Sequence, residues 1–218
     1  MIALPSPNFT ERTLSVSLIV LHYTGMKTKE DALGRLRDPQ AKVSAHYVID
    51  EDGAVYALID ESKRAHHAGV SFWRGVSDIN SASVGIELIN KGHEFGYTPF
   101  PEKQIDALIR LCANIMTRHD IRFVLGHSDV APARKQDPGE LFPWKRLAEN
   151  GIGFWTDDFL PAGGTAESLL KEIGYDTTDL AAARTAFCRH FLPEALSGQA
   201  DVEGRMTSVL KGLSCFIK

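Results

Sequence analysis

Apolar residues of the N-terminal part are concentrated in short runs that alternate with polar turns. Residues 14–24 are rich in β-branched and aliphatic side chains and nearly continuously apolar in the middle, which predicts a strand buried on both faces. Residues 44–60 contain two strand-like runs around Asp52 and Gly53, a typical hairpin turn. Residues 81–90 form another short apolar strand. These runs predict at least one buried sheet.

Segments with the periodicity of a helix lie between and after these strands. Apolar residues recur every three or four positions over residues 101–118, and Pro101 suits the first turn of a helix. A weaker helical pattern covers residues 28–37. Strands mixed with helices, including a hairpin, indicate an α/β or α+β fold in which helices cover the sheet.

The composition changes near residue 150, which predicts a second unit. Residues 1–150 form the first domain, and the glycine-rich residues 151–164 form a linker. Three helical patterns within residues 165–218 predict a small three-helix domain. A core of that size has little stability to spare unless it docks on the first domain.

Charge and composition exclude several classes of partner. A net charge of −4 gives no overall basic field, so nucleic acid is not expected as the main partner. The three cysteines are far apart and form no CxxC pair, and no apolar run reaches the ~20 residues of a membrane span. Together with a start that does not look like a signal peptide, this favours the cytoplasm, with the periplasm or cell envelope as the alternative.

Two histidines stand at the ends of predicted strands. His22 follows "LIVL" and His127 follows "RFVLG", so both imidazoles can lie at one edge of a sheet. Asp137 comes ten residues later, after a proline-containing loop that can fold back. Two imidazoles and one carboxylate leave an open position on Zn²⁺, as in catalytic zinc sites. The alternative is two unrelated histidines and an aspartate that caps a turn.

The motifs around these residues resemble a known family. The segments "LIVLHYTG", "VSAHYVIDEDGAVY", "HHAGVSFWRG", "NSASVGIELIN" and "VLGHSDVAPARKQDPG" occur in this order. Over about residues 14–150 the chain resembles the zinc-dependent N-acetylmuramoyl-L-alanine amidases of the type-2 amidase family, which includes the peptidoglycan recognition proteins. The resemblance implies a mixed β-sheet flanked by helices, with one zinc ion in a shallow groove held by His22, His127 and Asp137.

The resemblance also implies two catalytic side chains. Glu87 matches the general base of the family, and the alternative is a strand glutamate that faces solvent. Lys135 matches a cation that stabilises the oxyanion, and the alternative is a solvated loop lysine. Arg134 is a competing cation, but its neighbouring position aims it elsewhere.

Other residues are expected to line the groove or to be structural. His67, Trp73 and Asn80 are candidate substrate-binding residues, although Trp73 can equally pack in the structure. His46 is expected to be a core histidine or one that supports the site. The remaining candidates lack a motif and are expected at the surface or at helix ends: His93, His119 and His190.

The expected function is hydrolysis of the amide between N-acetylmuramic acid, or its 1,6-anhydro form, and L-alanine of peptidoglycan. Residues 165–218 resemble three-helix peptidoglycan-binding domains, with a helical lid or dimerisation element as the alternative. A non-catalytic recognition module is the first alternative function, and Asp137 argues against it. A serine hydrolase using Ser128 is the second, but the sequence lacks a G-x-S-x-G elbow. Intact wall and released muropeptide remain equally possible substrates.

Overall fold

A six-stranded mixed sheet is the centre of the fold in the computed structural model, which describes residues 1–198 and 200–216, the last two by backbone only. The strands are β1 (Ile2–Ala3), β2 (Phe9–Glu11), β3 (Leu18–Tyr23), β4 (Tyr47–Ile49), β5 (Val55–Ala57), β6 (Lys63–Ala65), β7 (Ser83–Leu88) and β8 (Phe123–Gly126). The order in the main sheet is β1-β5-β4-β7-β3-β8, and β2 pairs with β6 separately. Only the β4–β5 pair of the main sheet is antiparallel within the described residues. This confirms the mixed sheet and the predicted hairpin.

Helices cover both faces of this sheet. They are α1 (Lys29–Arg37), α2 (Ile79–Ala82), α3 (Gly92–Phe95), α4 (Glu102–Met116), α5 (His127–Val130), α6 (Trp144–Glu149), α7 (Ala166–Ile173), α8 (Leu180–Phe191) and α9 (Val202–Phe216). The helices predicted from periodicity correspond to α1 and α4. No helix in the described part of the chain combines the length and apolar composition needed to cross a membrane.

Alternate side chains of β3 enter two different cores, which explains its continuous apolar sequence. Ile19 and Leu21 pack with β7 and α4. Leu18 and Val20 pack in a cluster that also contains apolar residues of α7, α8 and α9. The C-terminal helices therefore cover one face of the sheet, while the domain boundaries at residues 150 and 165 stay a prediction.

A buried polar cluster connects the C-terminal helices with helix α5 of the N-terminal part of the chain. The carboxylate of Asp129 on α5 accepts hydrogen bonds from the Tyr175 hydroxyl at 2.6 Å and from His190 Nδ1 at 2.7 Å. The His190 ring also stacks on Trp144 with 3.7 Å between centroids. His190 lies in the last turn of α8, which agrees with the expected helix end, but it is only 3% exposed and is not at the surface. Its acceptor lies 61 residues away in the chain.

Candidate metal centre

The parallel strands β3, β7 and β8 bring three side chains to one edge of the sheet. Leu21 of β3 is in register with Gly126 of β8, so the residues that follow, His22 and His127, are neighbours. His22 is itself in register with Glu87 on β7. Because partners in neighbouring strands point to the same face, Glu87 lies beside His22.

The loop after β8 returns a carboxylate to these histidines. The backbone N–H of Ser128 donates to the carbonyl of Asp137 at 2.9 Å, which holds the end of the loop against its start. Asp137 Oδ2 lies 3.0 Å from Nδ1 of His22 and 3.0 Å from Nδ1 of His127, and the two Nδ1 atoms are 2.9 Å apart. All three side chains are buried. The structure thus brings together the three predicted metal ligands.

Hydrogen bonds on the far side of each ring determine which nitrogen carries the proton. His127 Nε2 lies 3.0 Å from the carbonyl oxygen of Ala68, which can only accept. Nε2 is therefore the protonated nitrogen of a neutral His127, and Nδ1 presents a lone pair to Asp137 and His22.

A relay of hydrogen bonds, from His22 through His67 to Ser83, sets the same tautomer in His22. The Ser83 hydroxyl donates to the carbonyl of Ile79 at 2.6 Å, so Ser83 Oγ accepts from His67 Nε2 at 3.2 Å. The other nitrogen of His67, Nδ1, then accepts from His22 Nε2 at 3.0 Å. His22 consequently presents the lone pair of Nδ1 to the centre. Burial is the main cause that lowers the pKa of His22 to about 4, so its neutral form prevails at neutral pH.

The donor set fits a divalent cation. Two lone pairs and a carboxylate oxygen face one another at about hydrogen-bond distance, and in these tautomers no proton lies between them. A cation could be coordinated by all three atoms at once. The hydrogen bonds that the two histidines make through Nε2 are those typical of metal-bound histidines. We therefore identify His22, His127 and Asp137 as a candidate metal site.

Glu87 lies in the wall of the same cavity, which has a volume of about 580 Å³. Its Oε2 atom is buried and has no hydrogen-bond partner among the described residues. Burial, together with the charge of Asp137, raises the pKa of Glu87 to about 8, although Lys135 opposes the shift. A carboxyl group with such a pKa can take up and release a proton near neutral pH.

The two neighbouring loop cations have different surroundings. Lys135 is exposed and lines the cavity. Arg134 also lines the cavity, but its guanidinium donates to the carbonyl groups of Ala68 and Val70. Of these two cations, Arg134 therefore supports the loop, and a contact of Lys135 with substrate stays a prediction.

The three candidate substrate-binding residues occupy different places. His67 lines the cavity, but both of its ring nitrogens are engaged by His22 and Ser83. Trp73 is 2% exposed and packs against Phe123 and Tyr175 in the core, so its expected stacking on substrate is wrong.

Asn80 is structural as well. Its Oδ1 accepts from the backbone N–H groups of His67 at 3.0 Å and Ala68 at 2.7 Å. The amide thereby holds the loop that supplies His67 and the carbonyl acceptor of His127. Asn80 is outside the lining of the cavity, which corrects the expected contact with substrate.

His93 and Arg189 are among the cavity residues that sequence reasoning missed. His93, expected at the surface or at a helix end, accepts or donates through Nδ1 to the Tyr23 hydroxyl at 2.8 Å and lines the cavity. Arg189 reaches the cavity from α8. No motif signals either residue, since both depend on packing between distant segments. His46, by contrast, is fully buried away from the cavity and is a core histidine.

Comparison with known proteins decides the family. Residues 12–140 match the sequence model of the N-acetylmuramoyl-L-alanine amidase family. The chain belongs to this family. It is 36% identical over 221 residues to the N-acetylmuramoyl-L-alanine amidase AmiD of Escherichia coli K12, a match that covers 86% of this chain and 79% of AmiD. It is 31% identical over 163 residues to the 1,6-anhydro-N-acetylmuramyl-L-alanine amidase AmpD of Haemophilus influenzae, covering 65% of this chain and 86% of AmpD.

Solved structures of this amidase family agree over nearly the whole chain. E. coli AmiD, in complex with a muropeptide substrate, superposes with a TM-score of 0.77 at 34% identity and covers 91% of this chain and 88% of its own. AmpDh3 of Pseudomonas aeruginosa with an anhydromuramic pentapeptide gives a TM-score of 0.78 at 32% identity, covering 94% of both chains. The amidase fold with its C-terminal helices is thus shared with these relatives.

Proposed function

We propose that this amidase-family protein hydrolyses the amide bond between N-acetylmuramic acid, or its 1,6-anhydro form, and L-alanine of the stem peptide, with zinc as its metal. The convergence of His22, His127 and Asp137 in a cavity shared with Glu87 carries the proposal. Two neutral imidazoles and one carboxylate form a donor set that suits Zn²⁺ and leaves room for substrate. Zinc held there would supply Lewis acidity to the scissile carbonyl group and to water.

The side chains of the cavity divide the remaining chemistry. Glu87 accepts a proton from the attacking water and passes it to the leaving amine of L-alanine, a role supported by its place beside His22 and by its buried Oε2 atom, which has no hydrogen-bond partner among the described residues. Lys135 places its ammonium group near the carbonyl oxygen, where it stabilises the negative charge of the tetrahedral species.

The decisive experiment combines substrate and chelator. The purified protein is incubated with sacculi and with anhydro-muropeptides, with and without a chelator, and products are identified by mass. Free stem peptide beginning with L-alanine is expected, together with loss of activity after chelation and recovery with Zn²⁺. Asp137→Ala should fold and be inactive, whereas an active Asp137→Ala variant would contradict the proposal.

The same experiment separates the alternative functions. A non-catalytic recognition module would bind muropeptide without releasing peptide. A serine hydrolase would ignore the chelator and depend on Ser128, which is 3% exposed and outside the lining of the cavity.

A cytoplasmic location is part of the proposal. Fractionation of cells that express the full-length gene tests it, and recovery in the envelope fraction would contradict it.

A further inference from the structure

An arginine from the C-terminal helices lies in the catalytic cavity with unused hydrogen-bonding capacity. The Arg189 side chain is 19% exposed, and its Nε atom is buried without a hydrogen-bond partner among the described residues. Its ion-pair partner is Glu140, whose Oε2 is 3.9 Å from Nε and therefore beyond hydrogen-bond distance. Both oxygens of Glu140 already lie 3.1 Å from His93 Nε2.

The position of Arg189 is fixed by the next residue in the helix. His190 is bonded to Asp129 and stacked on Trp144, so α8 cannot rotate to give Arg189 a different environment. Burial of a guanidinium donor without an acceptor is unfavourable, and proteins retain such groups mainly where a ligand or water completes them. Arg189 thus has the environment of a ligand-binding residue.

A continuous row of side chains connects Arg189 with the metal site. Tyr23 follows the ligand His22 and bonds through its hydroxyl to His93, and His93 in turn bonds to Glu140. Arg189 faces Glu140 at the end of this row. A substrate whose amide lies at the metal site and whose stem peptide follows this wall would reach the guanidinium.

The chemistry of arginine identifies the group it meets. A guanidinium fork matches the two oxygens of a carboxylate better than any neutral group. In the substrate bound to E. coli AmiD, D-glutamate is joined through its γ-carboxyl group, which leaves its α-carboxylate free. We propose that Arg189 binds this α-carboxylate of the stem peptide and so determines specificity at the second residue, an inference that rests on the proposed function.

A cycle of substrate and protein variants tests this contact. The substrates are muramyl-L-Ala-D-Glu and muramyl-L-Ala-D-isoglutamine, in which the α-carboxylate is an amide. The wild type should prefer the carboxylate, and Arg189→Gln should lower kcat/KM for it by about 10- to 100-fold, mainly through KM, with little change for the amide. Arg189→Lys should retain part of the preference because it keeps the charge without the fork.

Arg184→Gln is the matched control because Arg184 lies on the same helix, pairs with Glu203 and is outside the cavity. Equal losses for both substrates in Arg189→Gln would mean a structural role and overturn the inference. A wild-type protein that cleaves both substrates equally well would also overturn the inference. This comparison does not depend on whether the variant folds. A wild type that cleaves neither substrate would overturn the proposed function and this inference with it.

Discussion

The relay behind His22 predicts that a serine hydroxyl with no contact to the metal controls metal affinity. In the wild type, Ser83 accepts from His67 Nε2 because its own proton is donated to Ile79. Ser83→Ala removes this acceptor. His67 can then carry its proton on Nδ1 and donate it to His22 Nε2, which moves the His22 proton to the nitrogen that must bind the cation.

The expected loss of zinc affinity follows from the hydrogen-bond donor that Ser83→Ala leaves without an acceptor. To bind metal, the variant must restore the original tautomer, in which the N–H at Nε2 of His67 faces the place of the lost hydroxyl and has no acceptor. A buried donor without an acceptor costs about 1–3 kcal/mol. This corresponds to a zinc affinity weakened by about 5- to 150-fold. The range agrees with the effects of other residues that orient metal-bound histidines, about 10- to 100-fold.

His67 itself gives a graded pair of variants. His67→Asn places an amide oxygen near the position of Nδ1, where it can still accept from His22 Nε2. His67→Ala leaves His22 without an acceptor. We therefore expect the alanine variant to bind zinc more weakly than the asparagine variant.

The assay is a competition for zinc between the apoprotein and a chromophoric chelator at fixed pH. It needs no substrate, so it measures the site rather than turnover. Ser208→Ala is the control, because Ser208 is also buried and its hydroxyl donates to the carbonyl four residues earlier in a helix. Wild-type zinc affinity in a folded Ser83→Ala apoprotein would refute the tautomer argument.

Three further changes have expected outcomes. Glu87→Gln should keep zinc affinity near that of the wild type while kcat falls by about 10²- to 10⁴-fold, as stopped-time product analysis would show. Tyr175→Phe removes a donor to the buried Asp129 carboxylate and should lower the free energy of urea unfolding by about 1–3 kcal/mol. Burial lowers the pKa of His46 to about 4 from 6.5, so below pH 6.5 the unfolded chain binds the extra proton and stability falls down to about pH 4. The loss of unfolding free energy between pH 6.5 and about 4 should be smaller in His46→Gln, as urea unfolding at several pH values would show. An equally steep dependence of the unfolding free energy on pH in this variant would contradict the prediction.

Much of the catalytic half was predictable because its signals are local. The apolar run before His22 predicts β3, the Asp52-Gly53 turn predicts the hairpin, and the spacing over residues 101–118 predicts α4. The ligand set was accessible through the resemblance to the amidase family, since His22 and His127 each follow an apolar strand and Asp137 lies in the motif of the loop after the second one. Conversely, the short strands β1, β2 and β6 have too few residues for a periodic signal.

The errors concern side chains whose role depends on a distant partner. Trp73 has a ring that suits either a sugar or a core, and in the structure it packs against Phe123 and against Tyr175 of the C-terminal segment. His67 lines the cavity as expected, but its bonds to His22 and Ser83, which are 45 and 16 residues away, engage both of its ring nitrogens. Neither partner can be inferred from the sequence around the residue.

The short helix α5 explains why the C-terminal helices belong to the chemistry of the site. Its first residue, His127, is a candidate metal ligand, and its third, Asp129, is the carboxylate that accepts hydrogen bonds from Tyr175 and His190. Asp129 also accepts from the backbone N–H of Gly126 at 2.7 Å, which fixes the end of β8 just before the ligand. One four-residue element thus receives hydrogen bonds from the C-terminal helices and presents an imidazole to the metal. Since metal sites require ligands held by rigid surroundings, these helices act as part of the metal site's support.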